Sequence, residues 1–297
     1  MNKQQFYGTI AIVGRPNVGK STLLNRILQQ KLSITSDKPQ TTRQQILGIK
    51  TQDNNQVVYI DTPGIHKAGK NALNRTMNRA ALSSLYDVNG VVFIVDVATW
   101  QEADQCVLEL LITLTVPVIL AVNKIDRVVK KDDLLPVLKA LEEKMTFAEI
   151  IPLSAKTGKN VERLERVIQS LLPVASHAFD ESELTNRSMR FLTAELIREK
   201  IMRLTGQELP YAAAVEIEFY QEQEKIIRIS AIIWVERDSQ KAIIIGKKGQ
   251  RLKKIATQAR LDMEKLVSNK VFLKLWVKVK DNWSDDARAV RSLGYDD

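Results

Sequence analysis

The segment from Gly14 to Ser21 constrains this chain more than any other, because its eight residues match the spacing G-x-x-x-x-G-K-S of a phosphate-binding loop. An apolar run, residues 9–13, precedes it, and a helical pattern, residues 22–28, follows. Backbone N–H groups of such a loop and the helix N-terminus face a bound phosphate chain. We expect Lys20 to reach the β- and γ-phosphates and the Ser21 hydroxyl to bind Mg²⁺. A glycine-rich turn that matches by chance is the alternative, and the strand-loop-helix context disfavours it.

A second motif, from Asn123 to Asp126, indicates which base is bound. It follows the apolar run 117–122. The Asp126 carboxylate can accept hydrogen bonds from the N1–H and the amino group of guanine, which adenine lacks, so a buried carboxylate would stay unpaired with adenine. We expect Asn123 to connect the base to the phosphate loop and the stem of Lys124 to cover the ring. In isolation this tetrapeptide would be a surface turn, but after a phosphate loop it favours GTP.

A third motif, Ser154-Ala155-Lys156, follows the apolar run 150–153. Its position at the end of a predicted strand places it beside the second motif. We expect the Ala155 N–H to donate a hydrogen bond to guanine O6.

The segments that sense the γ-phosphate lie between these motifs. A strand pattern, residues 57–60, ends in Asp61-Thr62-Pro63-Gly64. We expect Asp61 to hold Mg²⁺ through a water and the Gly64 N–H to approach the γ-phosphate, since glycine has no side chain in the way. Upstream, one of Thr41 and Thr42 should bind Mg²⁺ only with GTP, and we favour Thr42. Both segments are expected to be ordered by GTP and released after hydrolysis.

These motifs together define the predicted nucleotide site. We expect Lys20, Thr42 and Gly64 to act in hydrolysis, and Ser21, Thr42 and Asp61 to hold the metal. The complete set of predicted nucleotide-binding residues is Gly14, Arg15, Pro16, Asn17, Val18, Gly19, Lys20, Ser21, Thr22, Asp61, Thr62, Pro63, Gly64, Ile65, Asn123, Lys124, Asp126, Ser154, Ala155 and Lys156.

The motifs in this order resemble the translation-factor-related GTPases of the Era and TrmE type, over roughly the first 172 residues. One position narrows the resemblance. Ras-like proteins carry a water-positioning glutamine after Asp-x-x-Gly, but Ile65 stands here and cannot hydrogen-bond water. Intrinsic hydrolysis is therefore expected to be slow, with a partner, a cation or the backbone orienting the water. In some relatives an asparagine at the place of Asn17 helps bind K⁺, and our hypothesis is that K⁺ accelerates this enzyme.

Strand and helix patterns alternate up to residue 172, which predicts an α/β P-loop domain with a mostly parallel sheet flanked by helices. Helical patterns cover residues 71–86, 102–115, 132–145 and 161–172. Strand patterns cover residues 46–51, 57–60, 91–95, 117–122 and 150–153. The first two strands, joined by residues 52–56, read as an antiparallel hairpin. Pro173 ends the last helix, so we predict a domain over 1–173, a linker over 174–184 and a smaller α+β domain over 185–297.

Charge is concentrated in one part of the second domain. The chain has a net charge of +9, while residues 241–280 alone carry twelve Lys and Arg against two Asp and Glu. A basic block of this kind indicates a polyanion-binding face, with a solvated lysine-rich helix as the alternative. The single cysteine, Cys106, excludes a disulfide within the chain and fits a reducing cytoplasm. No signal peptide and no apolar run of roughly 18 residues is found in the sequence.

The basic block contains G-K-K-G at 246–249, followed by an amphipathic helical pattern. GXXG loops of K-homology (KH) domains clamp about four nucleotides of single-stranded nucleic acid. The order of the predicted elements around this loop is similar to that of type II KH domains. A helix at 188–203 and strands at 213–220 and 226–236 precede the loop, and a long helix and a strand at 271–279 follow it. The predicted RNA-binding residues are Gly246, Lys247, Lys248, Gly249, Arg251, Lys253 and Lys254.

A GTPase domain followed by a type II KH domain is the architecture of the Era family, and the whole chain resembles it. The resemblance implies a monomeric cytoplasmic GTPase that binds the 3′ end of 16S ribosomal RNA and assists maturation of the 30S subunit. It also implies peripheral association with the inner face of the cell membrane. Two alternatives stay open: a P-loop kinase, which would prefer ATP, and a GTP-dependent RNA-modifying or membrane-associated protein of the TrmE kind.

Overall fold

The computed structural model describes residues 4–36, 38, 41–64, 72–206 and 213–293. These residues form two compact units. The first holds the described residues of Met1–Ser33, Thr42–Gly69 and Met77–Asn186, and the second those of Ile34–Thr41, Lys70–Thr76 and Arg187–Asp297. The domain limits predicted above stay a prediction.

The first unit is built on a six-stranded sheet. Its strands are β1 (Phe6–Val13), β2 (Ile46–Gln52), β3 (Asn55–Asp61), β4 (Gly90–Asp96), β5 (Val118–Asn123) and β6 (Glu149–Pro152). The order across the sheet is β2-β3-β1-β4-β5-β6, and every neighbouring pair is parallel except β2 with β3. The predicted mostly parallel sheet with one antiparallel hairpin is therefore present. Chain order reverses on either side of β1, which is where ligands bind in open α/β sheets.

Buried apolar strands make the core of this sheet. Residues 10–13 of β1 and 91–94 of β4 have no measurable exposure. Parallel strands that are covered on both faces have continuous apolar sequences, and for this reason the strands could be predicted from the sequence. Their carboxyl ends lie along one edge of the sheet, so the residues that follow them meet there.

Helices α1 to α5 accompany this sheet along the chain. They are α1 (Lys20–Leu28), α2 (Ala72–Ser83), α3 (Glu102–Leu111), α4 (Leu134–Glu142) and α5 (Val161–Ser170). The prediction placed the end of the third helix at 115, four residues too late. Thr113 Oγ1 donates to the Leu110 carbonyl at 2.7 Å, and this local bond replaces helix continuation.

The hairpin is also tighter than its sequence indicated. Residues 52–56 were predicted as a loop, but Gln52 pairs with Asn55 and only Asp53 and Asn54 form the turn. Asp53 adopts a left-handed conformation with φ of 55°. Gln56 is fully buried because its amide donates to Thr51 Oγ1 at 2.9 Å and to the Phe179 carbonyl at 2.8 Å.

The second unit contains a three-stranded sheet with order β7-β8-β9. Its strands are β7 (Ala214–Gln223), β8 (Ile226–Val235) and β9 (Val271–Val279), and its helices are α6 (Met189–Leu204), α7 (Asp238–Ile245), α8 (Gln250–Val267) and α9 (Ala287–Ser292). Strand β7 is antiparallel to β8, and β8 is parallel to β9. Helices α6 and α8 share the apolar core with one face of this sheet. The observed order of α6 to β9 agrees with the predicted α-β-β-α-α-β order.

Helix α6 buries charged residues that the sequence did not reveal. Glu199 has no exposure, and Lys200 forms ion pairs with Glu199 at 2.9 Å and with Asp262 of α8. Burial alone would lower the pKa of Lys200, but its hydrogen bonds to Asp262 and Glu199 outweigh burial and raise that pKa above its usual value. Among the described residues, no helix has the length and apolar character that crossing a membrane requires.

Candidate nucleotide site and nucleic-acid interface

The loop between β1 and α1 depends on glycine at its end. Gly19 has φ of 112°, and a Cβ built there would lie 2.3 Å from Asn123 Nδ2. Any larger residue at this position would therefore strain the backbone and displace the Asn123 side chain. The loop closes against the end of β5 and leads into the N-terminus of α1, where phosphate binding is favoured.

Lys20 points back over this loop. Its Nζ donates to the carbonyls of Gly14 at 3.0 Å and Arg15 at 3.1 Å, and its exposed fraction is 6 %. Burial lowers the pKa of Lys20 to about 8, while the nearby Asp61 carboxylate opposes this effect. An anion beside Nζ would restore the charged form, so this lysine is suited to a phosphate group.

A cluster of oxygen atoms surrounds Asp61 at the end of β3. Ser21 Oγ donates to Asp61 Oδ2 at 2.7 Å, and Ser33 Oγ donates to the same atom at 2.7 Å. Thr42 Oγ1 lies 2.9 Å from Ser21 Oγ and 3.4 Å from Asp61 Oδ2. The other carboxylate oxygen, Asp61 Oδ1, is buried and has no hydrogen-bond partner among the described residues.

This cluster fits a hard divalent cation. Burial raises the pKa of Asp61, although hydrogen bonds from Ser33, Ser21 and Thr42 and the charge of Lys20 oppose the shift. Mg²⁺ takes oxygen ligands and keeps several waters, so two hydroxyls and one carboxylate with a spare oxygen suit it. In the described part of the chain, no group of three or more His, Cys, Asp or Glu side chains is arranged so that it could hold a metal ion.

The two adjacent threonines have different surroundings. Thr42 is buried, with an exposed fraction of 6 %, and lies in the oxygen cluster. The Thr41 hydroxyl instead donates to the Lys38 carbonyl at 2.6 Å. Thr42 is thus the threonine that can reach a metal beside Ser21.

The predicted base-binding residues are linked to the phosphate loop by side chains. Asn123 Nδ2 donates to the Val18 carbonyl at 2.7 Å, and Lys124 Nζ donates to the Asn17 carbonyl at 2.8 Å. Lys124 also pairs with Asp96 at 2.7 Å. Burial favours the neutral form of Asp96, but its hydrogen bonds and the charge of Lys124 outweigh burial and lower its pKa.

Ser154 and Ala155 complete this part of the site. Ser154 Oγ donates to Asp126 Oδ1 at 2.6 Å and so orients the carboxylate predicted to read guanine. The Ala155 N–H donates to Asn123 Oδ1 at 2.9 Å. We predicted that this N–H donates to guanine O6. In the structure it donates to Asn123 Oδ1, while the Nδ2 of the same amide donates to the phosphate loop.

Arg15 lies in the loop, but its side chain turns away from the loop interior. Its Nε forms an ion pair with Asp104 Oδ2 at 2.9 Å, and its Nη2 donates to Thr99 Oγ1 at 3.1 Å. Burial raises the pKa of Asp104, although the Gln101 N–H and Arg15 oppose the shift. Arg15 can therefore face a nucleotide only through its backbone, while its side chain anchors the loop to α3.

The segment after β3 packs closely on the loop. A Cβ at Gly64 would lie 2.8 Å from Pro16 Cγ and 2.9 Å from Pro16 N, so only glycine fits there. Thr62 is buried and donates to the Ile12 carbonyl at 3.0 Å. Pro63 is buried, Thr22 is half-buried and Lys156 is exposed. Ile65 lies outside the described residues.

Sequence reasoning missed two residues of this site. Ser33 belongs to no recognised motif, yet its hydroxyl binds Asp61. Arg26 of α1 donates to the Ala155 carbonyl at 3.3 Å and to the Lys156 carbonyl. An arginine in the polar stripe of a helix gives no signal of its own, so neither contact could be read from spacing.

The predicted GXXG loop connects α7 to α8. Gly246, Lys248 and Gly249 have φ of 70°, 51° and 74°. A Cβ at Gly246 would lie 2.8 Å from Arg251 Cβ, whereas Gly249 borders open space. Lys247 and Lys248 are exposed. The backbone is therefore accessible to a ligand, and the positive charge is next to it.

The other predicted RNA-binding residues lie in the first turns of α8. Lys253 and Lys254 are exposed, and Arg251 is half-buried because its guanidinium donates to the Ile243 carbonyl. Arg251 thus secures the end of α7 as well as contributing charge. The opposite side of α8 is buried through Ile255 and Ala259.

Comparison with protein-family models divides the chain in the same way as its motifs. A model described as a 50S ribosome-binding GTPase matches residues 9–124. A KH-domain model matches residues 208–284.

Curated proteins match over nearly the whole chain. GTPase Era of Pseudomonas aeruginosa is 57 % identical over 290 residues, which are 98 % of this chain and 95 % of that protein. GTPase Era of Pseudomonas fluorescens is also 57 % identical over 290 residues, covering 98 % and 97 % of the two chains.

Two solved structures share the fold closely. A single-substitution variant of Aquifex aeolicus Era bound to GDP·AlF₄⁻ is 38 % identical with a TM-score of 0.94, over 98 % of this chain and 99 % of that one. Era in complex with MgGDPNP and nucleotides 1506–1542 of 16S ribosomal RNA is 39 % identical, with the same TM-score and coverage.

Proposed function

This chain belongs to the Era family of GTPases, and we propose that it is a GTP-controlled switch that binds the 3′ end of 16S ribosomal RNA and assists maturation of the 30S subunit. The relative solved with MgGDPNP and a 16S segment supports this, because its chain corresponds to this one along nearly its full length. The observation that carries the proposal is the presence, in one chain, of the Ser21–Thr42–Asp61 cluster and the exposed Gly246–Gly249 loop.

In the nucleotide site, loop amides and the N-terminus of α1 bind the phosphates, and Lys20 balances charge on the β- and γ-phosphates. Ser21, Thr42 and Asp61 would hold Mg²⁺, which when bound neutralises charge on the phosphates. The Gly64 N–H donates to the γ-phosphate from its close packing on Pro16. These contacts position GTP and stabilise charge in the transition state of hydrolysis.

Guanine recognition is assigned to Asp126, oriented by Ser154, with Asn123 fixing the distance between base site and phosphate loop. Since Ile65 cannot orient water, the attacking water must be positioned by another group. Asn17, which is exposed on the loop, would help to hold K⁺, and such an ion would supply positive charge beside the β- and γ-phosphates.

RNA recognition is assigned to Gly246–Gly249, with Lys247, Lys248, Lys253 and Lys254 contributing charge along the phosphate backbone. We place the protein in the cytoplasm, where its ribosomal partner is assembled, and expect it to act as a monomer. The basic character of the chain would also favour attachment to the anionic inner face of the cell membrane.

The proposal is tested by changing Lys247→Glu together with Lys248→Glu. RNA affinity should fall, and GTP affinity and hydrolysis should be unchanged, because these lysines are exposed on the loop. Lys130→Glu with Lys139→Glu is the matched control, since it removes the same charge from exposed positions of the first unit. Full RNA binding by the Lys247 and Lys248 variant would reject the loop as the RNA site.

A further inference from the structure

Among the described residues, helices α6 and α8 pack on one face of the sheet of the second unit, and the other face carries exposed side chains. Odd-numbered residues of β8, such as Ile229 and Ile233, point into the core shared with α6 and α8. Even-numbered residues of β8 and β9 therefore point to the opposite, outer face. On that face, Phe272 is 52 % exposed and Trp276 is 49 % exposed.

Basic and aromatic side chains alternate on this outer face. Along β9 the outward residues are Phe272, Lys274, Trp276 and Lys278, and the adjacent outward residues of β8 include Arg228 and Trp234. We name these six residues the outer aromatic face. Arg228 is paired across the sheet with Phe272, and Trp234 is paired with Lys278.

Each ring of the outer aromatic face has a cation beside it. The Arg228 guanidinium lies 5.8 Å from the centre of the Phe272 ring, and Lys274 Nζ lies 4.9 Å from that of Trp276. Lys278 Nζ lies 5.8 Å from the centre of the Trp234 ring. A base of single-stranded RNA can stack on an aromatic ring, and a neighbouring cation can contact its phosphate, so this arrangement suits both parts of a nucleotide.

We propose that the outer aromatic face is a second RNA-binding surface, separate from the GXXG loop, on which unpaired bases stack on Phe272 and Trp276 while Arg228, Lys274 and Lys278 contact phosphates. The proposal rests on the RNA-binding function proposed above. Other RNA-binding sheets use exposed aromatic residues to stack two or three bases. The positive charge of this face also complements the negative charge of RNA, because β9 lies within residues 241–280, the most basic part of the chain.

The acidic strand β7 limits the path of the RNA. Glu216 and Glu218 are exposed, and Glu216 accepts a hydrogen bond from Trp234 Nε1 at 2.7 Å. RNA phosphates would be repelled there, so the path runs over β9 and the adjoining side of β8. A protein partner is a poorer fit, because lysines are depleted at protein interfaces and here stand beside the rings.

The test measures binding of an RNA with the sequence of nucleotides 1506–1542 of 16S ribosomal RNA. Phe272→Leu and Trp276→Leu keep apolar area on the sheet but remove the rings. We expect each to weaken binding by about fivefold to a hundredfold, since a stacked base contributes that much by substitution. Phe219→Leu is the control, because this 46 % exposed aromatic lies on the acidic strand and should leave affinity unchanged.

Two further readouts separate stacking from general charge. RNA should quench the fluorescence of Trp276, and the quench should disappear in Trp276→Leu. Lys274→Gln should lower the slope of log affinity against log salt by about 0.7, the value of one phosphate contact on a single strand. Circular dichroism and GTP affinity of all variants should match those of the unaltered protein.

The outcomes are distinguishable from failure of the proposed function. In one outcome, the Leu variants bind RNA with normal affinity and RNA quenches the fluorescence of Trp276→Leu as much as that of the unaltered protein, while Lys247→Glu with Lys248→Glu abolishes binding. The outer aromatic face is then not an RNA surface, and the proposed function stands. If neither set changes RNA affinity, both proposals fall. The proposal would also be overturned if the unaltered protein, against the monomer expected above, self-associated in sedimentation and Trp276→Leu abolished this association while binding RNA normally; the face would then belong to an interface with a second copy.

Discussion

The hydroxyls of Ser21 and Thr42 lie 2.9 Å apart, although one belongs to the first helix and the other to the polar stretch that follows it. Both contact the same oxygen of Asp61, whose second oxygen has no partner among the described residues. Three segments of the chain thus converge on one buried carboxylate. We therefore expect a substitution in any one of the three segments to alter the hydrogen bonds of the other two at Asp61.

Thr42→Ala should weaken binding of a GTP analogue and slow hydrolysis, with a smaller effect on GDP. A lost hydrogen bond or ligand contact to a charged group corresponds to roughly tenfold to a hundredfold. Mg²⁺ titrations with GDPNP and with GDP, together with single-turnover hydrolysis, measure both effects.

Thr41→Ala is the matched control, because the Thr41 hydroxyl donates to the Lys38 carbonyl and lies outside the oxygen cluster. Its hydrolysis rate should stay near that of the unaltered protein. If Thr41→Ala were the more damaging change, Thr42 would not be the γ-phosphate-sensing threonine.

Asp126→Asn should exchange guanine for xanthine specificity. The new amide N–H would face the amino group of guanine, so two donors would oppose each other and GTP affinity should fall by as much as roughly 10⁴-fold. Xanthine carries a carbonyl oxygen in place of that amino group, so xanthosine triphosphate should be accepted. Competition binding with GTP, XTP and ATP measures the exchange. A P-loop kinase predicts that ATP binds best and that Asp126→Asn has no effect on base choice.

K⁺ should accelerate GTP hydrolysis more than Na⁺ at matched ionic strength. The physical reason is the absence of a water-positioning side chain at Ile65, for which a cation at the loop can compensate by neutralising phosphate charge. Asn17→Ala should remove the difference between the two salts. Equal turnover of the unaltered protein in K⁺ and Na⁺ would reject this role.

The nucleotide-binding fold was predictable because its signals are local. Buried parallel strands are continuous apolar runs, and each motif follows the carboxyl end of one of them, as at Val13, Asp61 and Asn123. The family, the GTPase activity and the two-part architecture predicted from those motifs are confirmed by the comparisons.

Long-range polar pairing was not predictable. Arg15 and Asp104 are 89 residues apart in sequence. Neither the phosphate-loop motif nor the helical pattern that contains Asp104 indicates their ion pair. Gln56 looked like a loop residue because it is polar, but its amide is buried among hydrogen-bond partners. The sequence pattern also gives no sign that Glu199 and Lys200 are buried; the ion pairs of Lys200 with Glu199 and with Asp262 allow this burial.

The stretch before Thr42 gives a physical reason for coupling between nucleotide and RNA. The described residues between 34 and 41 belong to the second unit, where Thr35 N donates to Glu199 Oε1 at 3.2 Å and Arg198 donates to the Thr41 carbonyl. The next residue, Thr42, belongs to the nucleotide site of the first unit. We therefore propose that a rearrangement of Thr42 after hydrolysis affects its neighbour Thr41, whose carbonyl accepts a hydrogen bond from Arg198 of α6. Helix α6 shares its core with the helix that follows the GXXG loop.

The most direct test is to measure the affinity of the protein for the 3′-terminal segment of 16S ribosomal RNA with GDPNP bound and with GDP bound. Coupling free energies of this kind typically change affinity by about fivefold to 150-fold. We predict that the GDPNP-bound protein binds the RNA more tightly, by at least about fivefold. Identical affinities in the two nucleotide states would contradict a GTP-controlled switch.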